Sequence, residues 1–110
     1  MRKRPPEPVD IMKLLLRTKG VGTEYILHKL SEECLELSHV LHKALGERFG
    51  PGMPDKEKAE LLKQLHEEAA HTQIFLDLLR MTLKPEVYNK YYIERLKRIK
   101  KKFEANGTDK

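Results

Sequence analysis

Four side chains in this sequence have the types and the spacing to hold a cation. Glu33 and Glu36 stand three residues apart, and further along Glu68 and His71 repeat that interval. Residues three apart are neighbours on a helix surface, so each pair projects from one flank. Brought into one space, they would offer hard carboxylate oxygens and one imidazole, enough for one or two divalent ions. Glu32 and Glu67 open the two acidic stretches, EECLE at 32–36 and EEAAH at 67–71. Glu-x-x-Glu is also common on solvated helices. What distinguishes these pairs is apolar company: a carboxylate beside a helix core loses hydration, and it must then find a cation or take up a proton.

The helices that must position these groups can be traced from breakers and periodicity. Pro5, Pro6 and Pro8 block helix hydrogen bonds, so residues 1–8 read as a disordered basic and proline-rich arm. A short helix is expected from about Val9 to Arg17. Thr23 is a candidate cap for a second, ending near Leu45. The stretch GERFGPGMPD reads as a loop, Asp55 as the cap of a third helix running to about Thr82, and Pro85 as the first turn of a fourth. Residues 9–104 then form one helical domain and 105–110 a disordered tail. There is no strand-like alternation. The expected fold is all-α, a bundle of about four helices built on a helical hairpin, with its four-helix core completed by dimerisation.

At 100° per residue, Leu30, Cys34, Leu37, Leu41 and Leu45 share one stripe of the second helix, with Ile26 and Ala44 beside it. Glu33 falls inside the edge of this arc, Glu36 lies one turn along, and His39 points toward solvent. On the third helix Leu61, Leu65, Ala69, Thr72, Leu76 and Leu79 form the stripe, Glu68 sits among them, and His71 is on the flank. Ile74 and Leu78 extend an apolar edge beyond His71, which is where a dimer partner is expected to pack.

Composition narrows the class. The chain has 110 residues, 35% of them charged, and a net charge of +5. No apolar run approaches the roughly 20 residues that span a bilayer, so no membrane partner is expected. The lone Cys34 reads as a small buried residue and agrees with a reducing, cytoplasmic setting. The positive charge gathers at Arg2, Lys3 and Arg4 and in RLKRIKKK at 95–102. That end would suit phosphorylated ligands or nucleic acid, or complement the C-terminal dipole of a solvated helix.

EECLE followed by EEAAH resembles the paired EExxE and EExxD signature of the MazG-like all-α nucleoside triphosphate pyrophosphohydrolases, relatives of the dimeric dUTPases. The resemblance runs from about Ile26 to Phe103, taking in the GERFGPG loop and the closing basic helix VYNKYYIERLKRIKKKFE. It implies hydrolysis of a nucleoside triphosphate between the α and β phosphates by a homodimer, with Mg²⁺ as cofactor. Glu33, Glu36 and Glu68 match the metal ligands, with His71 at the fourth position. Glu32 and Glu67 match the leading acids, which orient water, and Glu32, Glu33 and Glu67 are the catalytic candidates. Asn89 and Arg95 match phosphate-directed positions. Gln64 and Tyr91 stand where larger members carry phosphate-binding lysines, and the adjacent Lys63 and Lys90 are then candidate substrate ligands with Tyr91. His71 replaces the family's Asp; an imidazole suits Mn²⁺ or another transition ion better than Mg²⁺.

Two rivals stay open. Glu36-Leu-Ser-His39 and Glu68-Ala-Ala-His71 both spell Glu-x-x-His, the spacing of di-iron carboxylate bundles, although His39 lies about 60° beyond Glu36. Alternatively, RLKRIKKK serves a non-catalytic nucleic-acid-binding module. Tyr88, Tyr91, Tyr92 and Phe49 are the candidates for base stacking, and packing is the ordinary role of tyrosines at helical spacing. His28, His42 and His66 read as surface residues, and Met12, Met53 and Met81 as packing or loop residues.

Overall fold

The computed structural model describes residues 4–17, 22–46 and 52–105, and every regular element within them is an α-helix. These are Pro8–Leu16 (α1), Gly22–Gly46 (α2), Asp55–Arg80 (α3) and Pro85–Ala105 (α4). The described chain divides near the end of α3 into one compact unit up to Leu79 and a second from Arg80. Each is described by itself.

The first unit begins earlier than the sequence suggests. Pro8 is the first residue of α1, where its missing N–H costs no helical hydrogen bond. Glu7 precedes it as the cap, and its backbone N–H donates to Asp10 Oδ2 at 2.8 Å. Arg4 grips the same carboxylate with two bonds of 2.9 Å. The hydrogen bond from Arg4, followed by that from Glu7, holds the Asp10 carboxyl at about 2. Residues 4–8, expected as part of a loose arm, are thus fastened to α1; residues 1–3 and the tail 106–110 lie outside the described residues.

Helix ends elsewhere depart from expectation by a residue or two, the usual uncertainty of a fraying terminus. Thr23 lies in the first turn of α2 rather than before it. Asp55 likewise belongs to the first turn of α3, and the carbonyl of Pro54 takes the N–H of Lys58 at 2.9 Å. Asp55 and Glu57 still favour that end, because negative charge complements the helix dipole there. The approach of α1 to α2 is close at Gly22: a Cβ there would stand 3.1 Å from the Leu15 carbonyl oxygen, a tight contact that one of the two would have to relieve by a few tenths of an ångström.

The hairpin is formed by α2 and α3 and runs antiparallel. Tyr25 packs edge-on against Phe75 at 6.3 Å, the Thr72 hydroxyl approaches the Glu33 carbonyl at 3.3 Å, and Glu36 adjoins Glu68. As the numbers rise along α2 they fall along α3. At one end α1 closes the hairpin, so that Met12, Ile26 and Leu78 form a buried cluster with Ile11, Leu15, Phe75 and Leu79 around it. Ile26, Leu61 and Leu78 are the most deeply buried side chains, each worth about 1.5–3 kcal/mol in removed apolar surface.

Two sequence expectations are corrected here. The edge beyond His71, assigned to a dimer partner, is closed at Leu78 by α1 of the same chain, while Ile74 stays 43% exposed. The buried face of α2 is also rotated away from Leu41, Leu45 and Cys34, which are exposed, toward Ile26, Glu33, Leu37, Val40 and Ala44. Cys34 is therefore not a core residue. The rotation has a direct cause: α1 and α3 together cover the Ile26 side, and Glu33 is carried inward with it.

The second unit is dominated by α4. Its Tyr88 ring stacks on Tyr92 at 6.2 Å and lies 4.6 Å beneath the Arg80 guanidinium. Tyr91, Tyr92, Leu96 and Ile99 are exposed along this helix. Among the described residues, no helix is long and apolar enough to cross a membrane.

Candidate metal centre

Midway along the hairpin, Glu33 from α2 meets Glu68 and His71 from α3, with one donor atom of each within 4.8 Å of the others. Thr72 sets this approach. Its hydroxyl donates to the Glu68 carbonyl one turn back at 2.8 Å and faces the Glu33 carbonyl across the interface. Its short side chain lets the two backbones come close at the level of the acids. Thr72 is legible in the sequence only as part of the α3 stripe, and nothing there signals its bridging position.

The three donors differ in solvation. The Glu33 side chain is only 14% exposed and that of His71 is 50% exposed, with His71 Nδ1 3.8 Å from Glu33 Oε2. Glu33 Oε2 and Glu68 Oε2 are both sequestered from solvent without a hydrogen-bond partner. An ionised carboxylate can only accept, so neither oxygen can satisfy the other. Burial pushes the Glu68 carboxyl above its ordinary value; the adjoining Glu36, through charge and a hydrogen bond, and then the Glu33 charge add to this, and His71 opposes it. Such groups gain most from a cation placed between them.

The other histidines show how unusual His71 is in this chain. His42 and His66 each direct Nδ1 to the carbonyl four residues back, those of Ser38 and Leu62, at 2.8 Å. His28 faces Glu24 on its own helix at 3.7 Å. His71 instead reaches across to another helix. His39 is exposed and lies outside the cluster, so Glu36 and His39 do not form the second Glu-x-x-His arm of a dimetal site within one chain.

The remaining site candidates are dispersed. Glu36 is exposed but adjoins Glu68. Glu32 turns outward to Lys29, 3.3 Å away, and Glu67 is exposed. Lys63 is exposed on α3. Asn89, Lys90, Tyr91 and Arg95 belong to the second unit, where Lys90 lies 5.9 Å from the Tyr91 ring and Arg95 borders an apolar groove with Tyr88, Tyr91 and Tyr92. Phe49 lies outside the described residues. Searches of protein-family models, of curated proteins and of solved structures find no match to this chain.

Proposed function

We propose that the protein is a divalent-metal-dependent nucleoside triphosphate pyrophosphohydrolase of the MazG-like all-α type, releasing monophosphate and pyrophosphate. The observation that carries the proposal is the convergence of Glu33, Glu68 and His71 from two helices, with two carboxylate oxygens sequestered and unpartnered. Those orphaned oxygens fit a cation: they are hard anionic donors with no protein donor to satisfy them. A divalent ion held there supplies charge neutralisation for the triphosphate and a lowered pKa for bound water.

The chain's own residues divide the remaining work. Glu33, Glu68 and His71 would hold the ion, while Thr72 sits where the two helices that carry them approach. Glu36, beside Glu68 and exposed on its other side, is the carboxylate best situated to accept a proton from attacking water. Glu32, drawn off by Lys29, and the exposed Glu67 are assigned outer roles. Arg95, Lys90, Asn89 and Lys63 are retained as substrate ligands on the strength of the resemblance. Exposed Leu27, Leu41 and Leu45 on one flank of α2 favour a homodimer that covers them.

A pyrophosphate-release screen over ribo- and deoxynucleoside triphosphates with Mg²⁺, Mn²⁺, Co²⁺ and Ni²⁺ tests the activity. Release by the parent, abolished in Glu33→Gln and Glu68→Gln, is the expected outcome. Absence of turnover with every pair, together with two irons per pair of chains, would instead favour a carboxylate-bridged dimetal centre; Glu33 with Glu68-x-x-His71 is half of that donor set. Salt-sensitive nucleic-acid binding that survives both substitutions would favour the basic module.

A further inference from the structure

We propose that the Glu33–Glu68–His71 centre selects a transition ion such as Mn²⁺ or Zn²⁺ over Mg²⁺, and that His71 is the selecting ligand. The inference rests on the metal centre of the function proposed above, not on its substrate.

The argument starts from how histidines on these helices behave when nothing competes for them. On the same two helices, His42 and His66 bond a carbonyl of the preceding turn and His28 faces Glu24, so these three stay with their own helix. His71 does not. Its Nδ1 lies 3.8 Å from Glu33 Oε2 and within the 4.8 Å cluster, although half of the side chain is exposed and free to turn outward. A tautomer that carries its proton on Nε2 would present the Nδ1 lone pair toward the two carboxylates.

Such a donor set, one imidazole nitrogen and two carboxylate oxygens, has a chemical preference. Mg²⁺ demands near-octahedral oxygen ligation and dehydrates reluctantly, so it gains little from a nitrogen donor. Affinity for such a donor set rises from Mn²⁺ through Fe²⁺ and Co²⁺ to Ni²⁺ and Cu²⁺ and falls back at Zn²⁺, and Zn²⁺ is common in three-ligand sites that keep an open position. Aspartate at residue 71 would complete an all-oxygen set and remove this bias. The competing account is an ion pair between a protonated His71 and Glu33, which needs no metal.

Metal binding without nucleotide separates the two. Chelated parent protein, His71→Asp and His71→Ala are titrated calorimetrically with Zn²⁺, Mn²⁺ and Mg²⁺, and imidazole nitrogens of the parent are followed by NMR as Zn²⁺ is added. The parent should bind Zn²⁺ and Mn²⁺ at least about ten times more tightly than Mg²⁺, and His71→Asp should reduce the Zn²⁺-to-Mg²⁺ ratio at least about tenfold. One of the five imidazoles should respond to Zn²⁺, and that response should be missing in His71→Ala. The NMR response of the parent depends on no variant folding correctly. Equal affinity for Mg²⁺ and Zn²⁺, a ratio untouched by His71→Asp, or an imidazole response that persists in His71→Ala would overturn the proposal. Pyrophosphate release plays no part in these measurements, so its failure bears on the substrate alone.

Discussion

The middle of the α2–α3 hairpin and the length of α4 solve opposite electrostatic problems. In the hairpin, three carboxylates meet at a seam between helices, and two of their oxygens have no partner. Along α4 an excess of cations is spread over one exposed helix, and Arg80 and Lys90 rest on tyrosine rings of their own unit. The cations of α4 are exposed, and Lys90 among them also lies near a tyrosine ring. In the hairpin, Glu33 Oε2 and Glu68 Oε2 are sequestered without a hydrogen-bond partner, which is why the proposed function is centred on that seam. Charge density alone does not locate a site; charge without solvation does.

The sharpest way to break this contrast is to neutralise one side at a time. Glu68→Gln should reduce pyrophosphate release by at least about 100-fold, whereas Arg95→Ala should weaken substrate binding by only about tenfold, as measured by kcat and KM. Equal losses in kcat from both would remove the distinction between the two regions. Next in size is Leu78→Ala, which should cost about 2–5 kcal/mol in denaturant unfolding because it empties the cluster beneath α1.

A subtler expectation reverses the usual sign. The Glu68 carboxyl is raised in the folded state, so the fold binds its proton more tightly than the unfolded chain does. Its contribution therefore favours folding at acid pH and turns unfavourable as pH rises from the ordinary value of 4.5 through the raised one. In metal-free protein, Glu68→Gln should melt at a higher temperature than the parent at pH 7, with the difference vanishing below about pH 4. Asp10 behaves oppositely. Its carboxyl is lowered to about 2, so the stability it lends α1 is present above its ordinary value of 3.8 and is lost as pH falls toward 2. Arg4→Ala should show the smallest change of the series, a slightly lower melting temperature at pH 7 that converges with the parent near pH 2.

Much of the framework was legible because breakers and periodicity are local properties. Pro8, Pro85 and the GPGMPD stretch bracket the helices within a residue or two, and Glu33 and Glu68 stand out by lying in apolar arcs. What could not be read was which apolar flank is covered. The second helix has two overlapping stripes, through Ile26, Leu37 and Ala44 and through Cys34, Leu41 and Leu45, and only the packing of α1 and α3 chooses the first. The sequence likewise carries no sign that Thr72 sits where α2 and α3 approach, although the three-residue spacing of Lys29 and Glu32 does permit the pair that turns Glu32 outward.

The most direct test of the metal centre is an anomalous difference map from crystals of the protein grown with Mn²⁺. The account predicts a peak among Glu33, Glu68 and His71, with their donor atoms drawn in to about 2.0–2.3 Å. It would be contradicted by a map without density there at saturating Mn²⁺, with His71 still facing Glu33 as a simple ion pair.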